Sequence, residues 1–109
     1  MNSAPYFNDD IPVRISVEWG KEFSFSLPTV TDEDNDNWNI TLGNEGADFL
    51  KYDNETHSLV IEEGASNITD IGGHMVTIFL TDDFPYGSKT TEYFVELKVV
   101  EQGEDTYID

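Results

Sequence analysis

The stretch 93-YFVELKV-99 places Tyr93, Val95, Leu97 and Val99 at every second position. Residues two apart share a face only in extended backbone, so this is a strand with one buried side; an amphipathic helix would repeat its apolar residues at three and four. The same alternation recurs upstream. It runs through Val13, Ile15 and Val17, through Phe23, Phe25 and Leu27, and through Trp38, Ile40 and Leu42, the last placing Trp38 in the core. Shorter runs follow in 59-LVI-61 and 76-VTIFL-80, and Phe49 to Tyr52 adds another, which makes about seven strands. Turn residues separate them at Trp19-Gly20, Leu27-Pro28, Gly43 to Gly46, Asp53-Asn54, Gly64, Gly72-Gly73 and Pro85 to Gly87. Short connections favour antiparallel neighbours, and about seven strands is the count of a two-sheet sandwich.

At 109 residues the chain is one domain in size, and an aromatic content of 13% supplies enough burial to offset chain entropy. The expected division is a sandwich over residues 1–100 and an acidic linker or tail over 101–109. Met1, ahead of a polar start, reads as an initiator added to an excised domain. Against 23 Asp and Glu stand 5 Lys and Arg, a formal net charge of -18. Phosphate binding needs cations that displace counterions, so nucleic acid is not an expected partner, and direct membrane insertion is not expected either. A surface this acidic repels itself, and any bound cation would relieve part of that repulsion. No cysteine is present, which removes disulfides and thiolate chemistry.

Three pieces, in order, resemble the cadherin-like superfamily and, within it, the dystroglycan-type cadherin-like domains. They are 2-NSAPYF-7, then 30-VTDEDND-36 followed by 38-WNITL-42, then 49-FLKYDNETHSLVIEEGASNITDIGGHMVTIFLTDD-83. The resemblance implies an Ig/cadherin-like Greek-key β-sandwich of about seven antiparallel strands. It also implies an extracellular or cell-surface module with neighbouring repeats of the same chain as partners, and a protein or glycan at the cell surface as a further one. Two features depart from full cadherin repeats. Residues 66–73 offer only Asp70 where those repeats carry an acidic segment, and the last strand leaves through 99-VVEQGED-105.

The phrase 31-TDEDNDNW-38 is the candidate metal site. Calcium takes six to eight oxygen ligands, and alternate residues of an extended loop point the same way, so Asp32, Asp34 and Asp36 could converge on Ca2+. Adjacent carboxylates favour a cation between them. The resemblance adds Asp82, with Asp83 beside it and Asp9 or Asp10 near the first strand. The alternative is a solvated loop whose side chains make local turns. A second function comes from the aromatics of 83-DFPYGS-88: Phe84 and Tyr86 could stack on sugar rings or anchor a partner, or fold back onto the core. His57 and His74 lack metal-ligand spacing, and no histidine stands near a serine in a nucleophilic motif, so the chain is not expected to be an enzyme. Asn39, Asn54 and Asn67 each open an N-x-S/T sequon.

Overall fold

The computed structural model describes residues 3–33, 37–44, 47–83 and 87–108. Within them the chain is an all-β sandwich, elongated to 49 × 22 × 22 Å. Nine strands are present among the described residues: β1 (Tyr6–Phe7), β2 (Arg14–Glu18), β3 (Phe23–Ser26), β4 (Val30–Thr31), β5 (Trp38–Gly43), β6 (Leu50–Asp53), β7 (Ser58–Ile61), β8 (Gly72–Asp82) and β9 (Thr90–Val100). One sheet has the order β2-β9-β8-β5 and faces a second, β3-β7-β6, while β1 and β4 pair separately. The seven expected strands are all there, with β1 and β4 added as two-residue pieces. One pairing departs from the antiparallel expectation: β2 runs parallel to β9, Ile15 opposite Leu97 and Val17 opposite Val99.

Alternation explains the core. On β8 the even residues Val76, Ile78 and Leu80 are buried, and on β9 the odd residues Val95, Leu97 and Val99. They meet Leu59 and Ile61 of β7 and Leu50 of β6 from the facing sheet. Each such side chain contributes about 1.5–3 kcal/mol on burial.

Each sheet has two edges, and the sandwich therefore has two mouths. At one, β2 and β3 are the edge strands; at the other, β5 and β6. The first mouth is partly covered by the chain itself. Residues 106–108 return along the outer edge of β2, where the Ser16 N–H donates to the Tyr107 carbonyl at 2.7 Å and Ile15 bridges Ile108. Part of the segment expected as an acidic linker or tail thus pairs with an edge strand whose backbone groups would otherwise be exposed. The β5–β6 mouth has no such cover among the described residues.

Candidate functional site

The acidic pole is built where β8 ends and β5 begins. Asp82 continues the inward column of Val76, Ile78 and Leu80, so alternation drives its carboxylate to the inner face, and it is buried. A buried carboxylate needs hydrogen bonds, and Oδ1 of Asp82 accepts the Lys89 N–H at 2.9 Å. The Asp82 N–H donates to the Lys89 carbonyl at 3.1 Å, closing the base of the β8–β9 connection. Asp83, exposed, donates its N–H to the Asn37 carbonyl at 2.9 Å.

Asp32 lies at the same pole. Thr31 pairs with Tyr6, the neighbouring Pro5 carbonyl accepts the Thr91 hydroxyl at 2.6 Å, and Thr91 is opposite Leu80 on β8. Asp32 has one buried carboxylate oxygen. Asp34 and Asp36 lie outside the described residues, as do Phe84 and Tyr86. Among the described residues no three Asp, Glu or His side chains converge as metal ligands. Asp9 and Asp10 are elsewhere: both are exposed and line a groove of the β2–β3 mouth with Val13, Phe25, Phe94 and Ile108.

The β5–β6 mouth carries a site that alternation does not announce. Trp38 is not core: it retains 36% exposure, whereas Ile40, two residues on, is 8% exposed. Its direction follows the alternation, since it is opposite Asp82 just as Ile40 is opposite Leu80. What is missing is a covering layer. The facing sheet ends at the Asp53–Ser58 pair, and the indole looks across the mouth to the turn of residues 54–57.

Trp38, Ile40 and Asn39 from β5, with Tyr52 and Asn54 from the β6 side, line an open cavity of about 540 Å3. None of these side chains is charged, although the chain carries a net charge of -18. Burial raises the Tyr52 pKa above the ordinary phenol value, and the nearby Asp53 charge adds to the rise. Tyr52 therefore remains a neutral hydroxyl across the physiological range.

One histidine holds both rings. The Tyr52 hydroxyl lies 2.8 Å from His57 Nδ1 and the Trp38 indole packs edge-on at 5.5 Å between centroids. His57 Nε2 lies 2.6 Å from the Pro28 carbonyl, which can only accept, so Nε2 carries a proton; in the neutral imidazole, Nδ1 then accepts from Tyr52. Its backbone is in the left-handed region, φ 53°. The Leu27 N–H donates to its carbonyl at 2.9 Å, and the Phe7 ring lies 6.2 Å away. His74, by contrast, is at the opening of β8, with Nε2 2.7 Å from the Asp70 carbonyl and Phe49 against its ring.

No family model matches the chain, and no curated protein matches it. Among solved structures, a nucleoside hydrolase-related hypothetical protein from Saccharophagus degradans, described as associated with carbohydrate metabolism, is similar in fold. The TM-score is 0.62 at 15% identity, over 91% of this chain and 26% of that one. The chain thus spans about a quarter of that protein's length, and at this identity the likeness is one of fold.

Proposed function

We propose that this chain is a non-catalytic recognition module of a larger surface or secreted protein, with a cadherin-like sandwich as its frame, and that it binds uncharged carbohydrate at the β5–β6 mouth. The observation that carries this reading is the half-open pair Trp38 and Tyr52, which share one cavity with Asn54. Tryptophan and tyrosine offer broad, rigid, partly polar contact area at little entropic cost, and an amide such as that of Asn54 supplies the paired donor and acceptor that sugar hydroxyls use. Sulfated and uronic glycans are disfavoured by the acidic surface. The fold neighbour's association with carbohydrate metabolism supports the same ligand class.

A glycan array tests it. Wild type should retain neutral oligosaccharides, and Trp38→Ala should lose them by roughly 30-fold in affinity, the effect of truncating an aromatic anchor worth about 2 kcal/mol. Retention of the same glycans by Trp38→Ala, or an array with no neutral hits, defeats the reading.

A second reading has its own observation: the buried Asp82 and half-buried Asp32 share one pole. In that reading the pole takes Ca2+ through Asp32 and Asp82, with Asp34 and Asp36 of the same sequence phrase, and the ion stiffens the module against a neighbouring repeat. The oxygen donors are of the hard type that calcium prefers. Carboxylates gathered at a pole of so acidic a chain gain from any cation between them. Affinity would fall in the ~0.1–1 mM range of extracellular modules.

A further inference from the structure

His57 touches both rings of the proposed sugar site while standing outside the cavity they line. Its own geometry is held at three points: Nε2 on the Pro28 carbonyl, the backbone carbonyl on the Leu27 N–H, and a left-handed φ of 53°. A histidine is an uncommon occupant of that backbone region, which glycine and asparagine adopt with less strain. We infer that His57 is the positioning residue of the β5–β6 site, and that its protonation reverses the hydrogen-bond polarity that Tyr52 presents to a bound sugar; this rests on the carbohydrate reading above.

The hydrogen-bond inventory gives the mechanism. With Nε2 fixed as donor to Pro28, neutral His57 has a bare Nδ1, and the Tyr52 hydroxyl spends its single proton there. Tyr52 can then only accept from a ligand. When the imidazole takes a second proton, Nδ1 becomes a donor; the phenol oxygen accepts from it through a charge-assisted bond and the phenol proton turns toward the cavity. Tyr52 then offers one donor and one remaining acceptor, the complement of adjacent sugar hydroxyls. Histidine is the side chain that ordinarily changes charge between about pH 5 and 8.

The groups that bear on His57 from each neighbouring element are few. Tyr52 and Asp53 come from β6, Glu55 from its own turn, Asp82 stands opposite Trp38 of β5, and Asp32 follows β4. Phe7 of β1 brings no charge. Among the described residues neither ring nitrogen meets a carboxylate; their partners are Tyr52 and Pro28.

The test uses the intact chain in two parts. In a Trp19→Phe background, Trp38 fluorescence and the His57 imidazole 15N shifts are followed from pH 5 to 8 without ligand. The expected result is an Nε2–H tautomer at pH 8 and one shared midpoint for both signals, with the fluorescence step absent in His57→Asn, a residue that tolerates the left-handed backbone. An Nδ1–H tautomer, or an unchanged fluorescence step in His57→Asn, overturns the inference.

In the second part, cellohexaose and N-acetylchitohexaose are titrated at pH 5.5 and 7.5. Binding should be about three- to tenfold tighter at pH 5.5, the worth of one hydrogen bond, and Tyr52→Phe should bind equally at both. Equal affinity at the two pH values in wild type, or the same pH dependence in Tyr52→Phe, overturns it. Should neither sugar bind at any pH while the fluorescence step follows His57, the positioning role stands and the carbohydrate reading falls. If His57→Asn does not fold, Tyr52→Phe with its retained ring carries the comparison alone.

Discussion

The two mouths of the sandwich are made of the same parts and end differently. At β2–β3 the chain doubles back, and Tyr107 and Ile108 lie on the β2 edge. At β5–β6 the described chain supplies no third layer, and Trp38 and Tyr52 stand at the opening with a histidine behind them. The concavity of the first mouth mixes aromatic, aliphatic and acidic side chains: Phe25, Tyr93 and Phe94 with Ile11, Val13 and Ile108, and with Asp9, Asp10 and Glu92. That of the second, with Trp38, Ile40, Tyr52 and Asn54, has no charged residue among the described residues of its lining. An edge that the chain covers is protected from pairing with other chains, and the one left open with a Trp and a Tyr is where the proposed ligand would sit.

The largest effect should come from the wall common to both mouths. Ile78 is fully buried in β8, between β5 and β9. Ile78→Ala should cost about 2–5 kcal/mol in urea denaturation and weaken both mouths together. A loss below 1 kcal/mol would mean that the sheets do not share one core.

The next effect belongs to the pole beside the open mouth. If calcium is held there with a Kd of about 1 mM, 10 mM calcium should add roughly 1.4 kcal/mol of stability, visible as a rise in melting temperature that Asp32→Asn removes. Identical melting of wild type and Asp32→Asn at every calcium concentration would eliminate the stiffened-spacer reading and leave the aromatic site untouched.

Deleting residues 106–109 sharpens the contrast from the other side. About 1 kcal/mol should be lost with the Ser16–Tyr107 hydrogen bond, and the bared β2 edge should promote self-association in sedimentation at high concentration. Sugar affinity should not change. A truncated chain that lost sugar binding would show the mouths to be coupled.

Tyr52 gives the smallest effect. Its folded pKa is raised, so its contribution to stability is complete below the unfolded phenol value, about pH 10, and is lost as pH climbs through the folded value. Stability of wild type should therefore fall more steeply above pH 10 than that of Tyr52→Phe. Parallel alkaline unfolding profiles would contradict the burial of that hydroxyl.

Period-two alternation was sufficient for the strands because burial of one face is a local property of the sequence. Val76, Ile78 and Leu80 show it, as do Val95, Leu97 and Val99. The same rule, applied to Trp38, gives the correct direction and the wrong burial. Alternation says which way a side chain points; it is silent on where the opposite sheet stops. A hint was available, since Trp38 directly follows the most polar loop in the chain and so lies at a strand end.

His57 had no legible role. Its partner Pro28 is 29 residues away, and neither its spacing from the other histidine nor its polar turn marks a contact with two rings. The return of residues 106–108 was hidden by their polar neighbours in the acidic segment. Asp82, which entered through a family resemblance, was also within reach of alternation, because it is the next even position after Val76, Ile78 and Leu80.

The most direct measurement is a two-dimensional NMR titration of the 15N-labelled chain with cellohexaose and N-acetylchitohexaose at pH 5.5. Shifts should concentrate on the Trp38 indole N–H, the Asn54 side-chain amide and the backbone of β5 and β6. Shifts confined to the β2–β3 mouth, or none at millimolar sugar, would contradict the carbohydrate reading.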